Sequence, residues 1–191
     1  MIRFFDLLLS FFGLLILSPV LIIISLFNLL SGPIIFSQVR VGKAGKEFRI
    51  LKFRSMRVNT ESQGQLTVGS DNRITRFGSF LRRYKLDEIP QLWNVLKGEM
   101  SMVGPRPEVP RYIALYTQEQ RKVLSVKPGI TDLASLEFID ENRRLSESSD
   151  PEKTYIEEIM PKKIEMNMVF ISNNSLGQYF EIILKTLSAV L

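Results

Sequence analysis

The chain has 191 residues, 45% of them hydrophobic, with 25 Lys and Arg against 20 Asp and Glu for a net charge of +5. That length supports one domain with a proper core. Cys and His are both absent, which excludes a disulfide framework, a Cys or His zinc site, a thiol nucleophile and an imidazole base. Any catalysis therefore falls to carboxylates, and the fitting metal is a hard, oxygen-bound ion such as Mg²⁺.

From Leu7 to Leu30 run 24 residues without a charge, just after Arg3 and Asp6. An unbroken helix of that length reaches about 36 Å, enough to cross a hydrocarbon core of roughly 30 Å, and hydropathy alone leaves a single transmembrane span open. Ser18-Pro19 sits at its centre in "LILSPVLIII". Pro19 removes the helical partner of the Leu15 carbonyl, the Ser18 hydroxyl is placed to bond a carbonyl one turn back, and each arm of about 18 Å is too short to cross alone. A bend there lets the segment enter and leave by one face. Residues 1–30 thus form a membrane segment, either a single span or a re-entrant membrane helix kinked at Ser18-Pro19, and residues 31–191 a single membrane-associated domain. Seven basic residues from Arg40 to Arg57, against the single acid Glu47, mark the cytoplasmic side and suit anionic phospholipid headgroups.

"SGPIIFSQVRVGKAGKEFRILKFRSM" (31–56) predicts a β-hairpin, with Ile34, Phe36, Val39 and Val41 before a Gly-Lys-Ala-Gly turn and Phe48, Ile50, Leu51 and Phe53 after it. Residues 58–72 are polar, carry Gly64 and Gly69, and predict a loop. Helices are expected over Thr75–Leu86, Pro90–Leu96 and Gln118–Ser125, the last ahead of Pro128-Gly129. The stretch "DPEKTYIEEIMPKKIEMNMVFIS" is helical in pattern and interrupted by Pro161. The final "LGQYFEIILKTLSAVL" places Phe180, Ile183, Leu184, Leu187 and Leu191 at helical spacing, which fits either a helix packed on the core or one lying at the membrane interface. The fold class is helix-rich α+β.

The chemistry concentrates in "FLRRYKLDEIPQLWNVLKGEMSMVGPRPE" (80–108). Asp87 and Glu88 lie just ahead of Pro90, where they could be ordinary first-turn acids favoured by the helix dipole. Their surroundings point elsewhere. Arg82, Arg83 and Lys85 stand immediately upstream, and Arg106 is held between Pro105 and Pro107, which stiffen its loop. Arg106 suits bidentate phosphate recognition as well as a structural ion pair. Two acids beside arginines, with no Cys or His, fit a metal-assisted phosphoryl transfer with a carboxylate nucleophile. Lys52 and Arg54 in "KFRSM" could be solvated strand residues or could serve the site.

The central Ser-Pro of the apolar segment, "KFRSM" (52–56), "LDEIPQLWNVLKGEMSMVGPRP" (86–107) and "KPGIT" (127–131) together resemble the bacterial sugar transferases called monotopic phosphoglycosyl transferases, nearly end to end. The length is similar to that of their minimal catalytic members. The resemblance implies an enzyme on the cytoplasmic face of a bacterial inner membrane. It would use Mg²⁺, a UDP-sugar and a polyprenol phosphate such as undecaprenol phosphate, in a ping-pong cycle through an aspartyl-phosphosugar, with no nucleic acid partner. It assigns Asp87 as nucleophile, Glu88 as its dyad partner and metal-associated residue, Arg82 and Arg106 as phosphate or nucleotide contacts, and Lys52 and Arg54 as residues lining the site or anchoring the membrane helix. It also implies helices lying at the membrane interface. "ITDLASLEFIDENRR" departs from the "ITGWAQV" pattern common in the family, which leaves the sugar open. Two other readings use the same residues: a nucleotide-sugar pyrophosphatase that activates water, and a noncatalytic membrane-anchored scaffold whose basic hairpin binds anionic lipid.

Overall fold

The structure, a computed structural model, describes residues 1–58, 66–69 and 71–190, so residues 59–65 and 70 of the expected polar loop lie outside the described residues. It is helix-rich α+β, as expected. Helix α1 (Ile2–Leu29) contains Pro19 and runs through it as one helical element. The carbonyl that Pro19 deprives of its usual donor is served locally, because Ser18 Oγ donates to Leu15 O at 2.7 Å. Among the described residues α1 is the one helix long and apolar enough to cross a membrane, by length and composition.

Both ends of α1 are fastened to the rest of the protein. Near its start, Asp6 Oδ1 accepts from Ser101 Oγ (2.8 Å), Met102 N (2.9 Å) and Tyr179 Oη (3.0 Å), while Arg3 donates to the carbonyls of Val95 and Leu96. Ile2, Phe5 and Leu9 pack there on a core of Val103, Phe170, Tyr179 and Ile182. Near its end, Ile24 shares a core with Phe53 and Leu81, Asn28 Nδ2 donates to Ile34 O, and Arg54 donates to Asn28 O, Ser31 Oγ and Pro33 O. The outward residues between, including Phe11, Phe12, Leu15, Ile16, Ile22 and Ile23, are exposed.

The hairpin forms as the alternation predicts: β1 (Ile35–Val41) pairs antiparallel with β2 (Glu47–Phe53), with Ile35 opposite Phe53 and Val41 opposite Glu47. Its turn passes through Ala44 and Gly45, both at positive φ. Thr75 caps α2 (Arg76–Arg83) by accepting from Gly78 N at 2.9 Å. Lys85, in left-handed backbone at φ 53°, turns the chain into a short 3₁₀ turn, Leu86–Glu88. Helix α3 (Gln91–Lys97) follows and ends on the left-handed Gly98.

Strand β3 (Ser101–Val103) lies parallel to β4 (Gly129–Thr131), with Ser101 opposite Gly129 and Val103 opposite Thr131. Between them come α4 (Pro110–Ile113) and a 3₁₀ run, Gln120–Ser125, where an α-helix was expected. Helices α5 (Leu133–Glu137), α6 (Glu141–Ser146) and α7 (Pro151–Thr154) lead to α8 (Met160–Ser172). Pro161 does not break the helical run: a π turn over Tyr155–Ile159, in which Met160 N donates to Tyr155 O, immediately precedes it and accommodates its missing N–H. This wall buries Val109, Tyr112, Val123, Phe138, Leu145, Tyr155, Ile159, Met160 and Ile164.

Helix α9 (Leu176–Val190) packs on the core through Tyr179 and Ile182, with Phe180 and Ile183 half-buried. Leu184 and Leu187, expected on the packed face, are exposed.

Candidate active site

A cleft of about 1400 Å³ opens between the hairpin, the Leu86–Glu88 turn, the Gly104–Pro107 loop and the α5–α8 wall. Of the residues singled out in the sequence, Lys52, Arg54, Arg82, Asp87, Glu88, Pro105, Arg106 and Pro107 all line it. Ser18 and Pro19 do not; they sit midway along α1.

Asp87 and Glu88 are both buried, yet their surroundings differ. Glu88 Oε1 accepts from Lys52 Nζ at 2.7 Å and from Arg106 Nη2 at 2.5 Å, and Oε2 lies 3.4 Å from Arg106 Nη1. Burial raises the Glu88 carboxyl, but the charges and hydrogen bonds of Arg106 and Lys52 outweigh it and hold the group well below the usual range. Arg106 is raised in return, chiefly by Glu88. Lys52 is lowered by burial, which the Glu88 charge offsets only in part. Asp87, among the described residues, takes no hydrogen bond and no ion pair within 4 Å. Burial pushes its carboxyl above the ordinary 3.8, against the weaker pull of Lys52.

The cations are placed by the local fold. Lys52 in β2 and Arg54, one residue past its end, divide the work, Lys52 pairing with Glu88 and Arg54 tying the end of α1 to the hairpin. Arg82 leaves the last turn of α2 and donates from Nε to Ser55 Oγ at 3.0 Å; burial lowers it, with Asp87 acting in the opposite direction. The Arg106 loop is anchored behind: its backbone N donates to Asp132 Oδ2 at 3.0 Å, which also accepts from Asn167 Nδ2 at 2.9 Å. Asp132 Oδ1 caps α5 through Ser135 N. Farther along the wall, Glu108 accepts from Arg40 and from the Tyr155 hydroxyl.

Asp132, Ser55 and Asp6 were not singled out as site or positioning residues from the sequence. Asp132 carried a signal in the "ITDLAS" departure and Ser55 in "KFRSM", whereas Asp6 carried none.

Among the described residues no three acidic, His or Cys side chains gather, so the protein offers a divalent ion the Asp87 carboxylate and Glu88 Oε2 and little more. That set fits Mg²⁺, which is commonly held by one or two carboxylates plus substrate phosphates.

A membrane-type helix is docked at both its ends on a domain whose open cleft holds two buried acids beside fixed cations. A family model described as bacterial sugar transferase matches residues 1–191, and the chain belongs to that family. It is 38% identical over 166 residues to the UDP-N-acetylgalactosamine-undecaprenyl-phosphate N-acetylgalactosaminephosphotransferase of Aeromonas hydrophila, covering 84% of this chain and 36% of that one. It is 40% identical over 166 residues to the UDP-glucose:undecaprenyl-phosphate glucose-1-phosphate transferase of Xanthomonas campestris pv. campestris, covering 84% and 32%. A galactosyl transferase of Streptococcus agalactiae is 38% identical over 202 residues, covering 99% and 42%. The chain thus spans between a third and about two fifths of the length of these relatives.

Proposed function

We propose that the protein transfers a phosphosugar from a UDP-sugar to a polyprenol phosphate such as undecaprenol phosphate, releasing UMP, as an early membrane step of glycoconjugate assembly. The observation that carries this reading is the contrast within the dyad: Glu88 is neutralised by Lys52 and Arg106, while Asp87 beside it is buried and unpaired. A carboxylate that carries no cation and no hydrogen-bond donor is the more reactive nucleophile of the two.

Asp87 attacks the phosphorus next to the sugar; its bond to the bridging oxygen breaks, and that oxygen leaves with UMP. An oxygen of the polyprenol phosphate then attacks the aspartyl-phosphosugar, and Asp87 departs as a carboxylate. Arg82 and Arg106, permanently cationic, face the phosphate oxygens, and Lys52 holds Glu88 in place. Asp87 and Glu88 would hold a Mg²⁺ together with the substrate phosphates, and the ion would supply charge neutralisation on the leaving group.

In this reading residues 1–30 form the membrane element and 31–191 the catalytic part, on the cytoplasmic face of the inner membrane. Support for re-entry comes from the two ends of α1, Asp6 on β3 and α9 and Asn28 on the hairpin, which fasten to one domain. A straight crossing sets its ends roughly 30 Å apart on opposite sides. The exposed Leu184 and Leu187 give α9 an outer apolar face suited to the interface.

Incubation with a panel of UDP-sugars, Mg²⁺ and undecaprenol phosphate is expected to release UMP and form a lipid diphosphate sugar. Asp87→Asn is expected to abolish turnover, by at least about a thousandfold. Full turnover in Asp87→Asn sinks the assignment, and UMP release that ignores the lipid phosphate and leaves no lipid product points to hydrolysis instead.

A further inference from the structure

One feature near the site has no part in the dyad's chemistry. Phe27 at the end of α1, Phe77 and Phe80 on α2, and Tyr84 at its C-terminus form a continuous aromatic ladder, with successive ring centroids 5.3, 6.4 and 5.1 Å apart. Phe77, Phe80 and Tyr84 recur at i, i+3 and i+7, one face of the helix. Phe77 is rooted in the core of Ile24, Phe53 and Leu81, whereas Phe27, Phe80 and Tyr84 are 56%, 50% and 40% exposed.

The ladder has two distinct ends. At one it joins the outward face of α1, where Leu26, Phe27 and Leu29 are exposed. At the other it stops at two cations, Arg83 and Lys85, which flank Tyr84 in sequence and line the cleft that holds Asp87. Arg83 sits over the Tyr84 ring at 5.7 Å, and among the described residues neither cation has an ion pair. An apolar track that begins on a membrane-type helix and ends on two unpaired cations beside an unpaired carboxylate matches a ligand with a long hydrocarbon tail and an anionic head.

We propose that the ladder is the acceptor subsite: the isoprenoid chain of a prenyl monophosphate lies along Phe27, Phe77, Phe80 and Tyr84, and its phosphate is received by Arg83 and Lys85. The assignment rests on the lipid-phosphate acceptor of the preceding reading. Flat, unsaturated isoprene units stack on ring faces, whereas an anchor in bulk lipid needs no such alignment. The two cations also divide the cleft's charges. Arg82 and Arg106 serve the donor's phosphates inside, and Arg83 and Lys85 wait at the rim, so the acceptor's phosphate has its own cations when it meets the aspartyl-phosphosugar after UMP has left.

The test uses the full chain in detergent micelles, without any UDP-sugar, and a prenyl monophosphate bearing a diazirine on an internal isoprene unit. Photolysis followed by peptide mapping is expected to label the segment 77–84 and the end of α1. Phe80→Ala combined with Tyr84→Ala is expected to weaken half-saturating labelling about tenfold, with the helical circular dichroism signal retained. Leu184→Ala combined with Leu187→Ala, which removes two exposed apolar side chains from α9, is expected to leave the labelling unchanged. A phosphatidylglycerol carrying the same diazirine serves as comparison. Labelling that spreads over α1 and α9 as phosphatidylglycerol does, or that survives the double alanine variant at full strength, overturns the subsite. Specific labelling in a protein that releases no UMP from any UDP-sugar sinks the transfer reading alone, and UMP release with labelling elsewhere sinks the subsite alone.

Discussion

Asp87 and Glu88 share a backbone turn, so the difference between them must come from what the rest of the chain brings to each. Lys52 and Arg106 reach Glu88 from β2 and from the loop after β3, 36 and 18 residues away in sequence. Removing the Glu88 charge leaves both cations facing a neutral group. Glu88→Gln is therefore expected to cost about 3 kcal/mol of stability, the low end for a buried pair because Arg106 keeps 41% of its side chain exposed. The pH dependence has a definite sign. Glu88 is held below its ordinary 4.5 in the folded state, so its stabilisation is complete above that value and is lost as pH falls through the lower folded one. Denaturant titrations of wild type and Glu88→Gln are expected to differ fully at pH 7 and to converge below pH 4.5; a gap independent of pH contradicts the pairing.

At the scale of elements, the site depends on close backbone approaches that only glycine permits. A Cβ on Gly78 would sit 1.9 Å from the carbonyl oxygen of Ser55, which already accepts from Thr75 N at 3.1 Å. Helix α2 thus lies flush on the chain leaving β2, and that seating lets Arg82 reach Ser55 Oγ. Gly78→Ala is expected to cost about 2 kcal/mol by overpacking, a fall of roughly 5 °C in melting temperature, and to raise KM for the donor through the displaced Arg82. Gly177→Ala, whose added carbon meets nothing closer than Ser175 Oγ at 3.9 Å, is expected to be neutral or slightly stabilising. An equal effect of the two refutes the steric argument. The elements legible in the sequence are those that carry their own pattern, such as the alternating hairpin and the helix expected from Thr75. Strands β3 and β4, three residues each, are too short to show a period, and their pairing joins segments 28 residues apart in sequence. Helix α9 is apolar on most sides, so its face is chosen by a neighbour: Asp6 claims the Tyr179 hydroxyl, which turns Leu184 and Leu187 outward. Lys52 and Glu88 were each visible, but their meeting belongs to the tertiary fold.

For the whole molecule, the question is how a membrane-type helix and a charged cleft share one body. Asp6, at 2% exposure the most buried charge on α1, exchanges water for three hydrogen bonds to β3 and α9. Those bonds hold the first turns of the helix against the domain, as Asn28 and Arg54 hold the last. In the re-entrant reading the middle must then bend or lie shallow, and Ser18-Pro19 is the place where the backbone gives way at least cost, because Ser18 already serves the Leu15 carbonyl. Substituting leucine for both, Ser18→Leu with Pro19→Leu, restores the helical ladder and favours a straight crossing that pulls Asp6 from its partners. The chain has no cysteine, so Ile2→Cys and, separately, the exposed Glu47→Cys on β2 can be labelled cleanly from either side of sealed vesicles. Both positions are expected to react from the same side in the parent sequence and from opposite sides in a substantial fraction of the double leucine variant, with UMP release falling in proportion to that fraction. Labelling from opposite sides in the parent sequence would establish a span and remove the role assigned to the Ser-Pro pair.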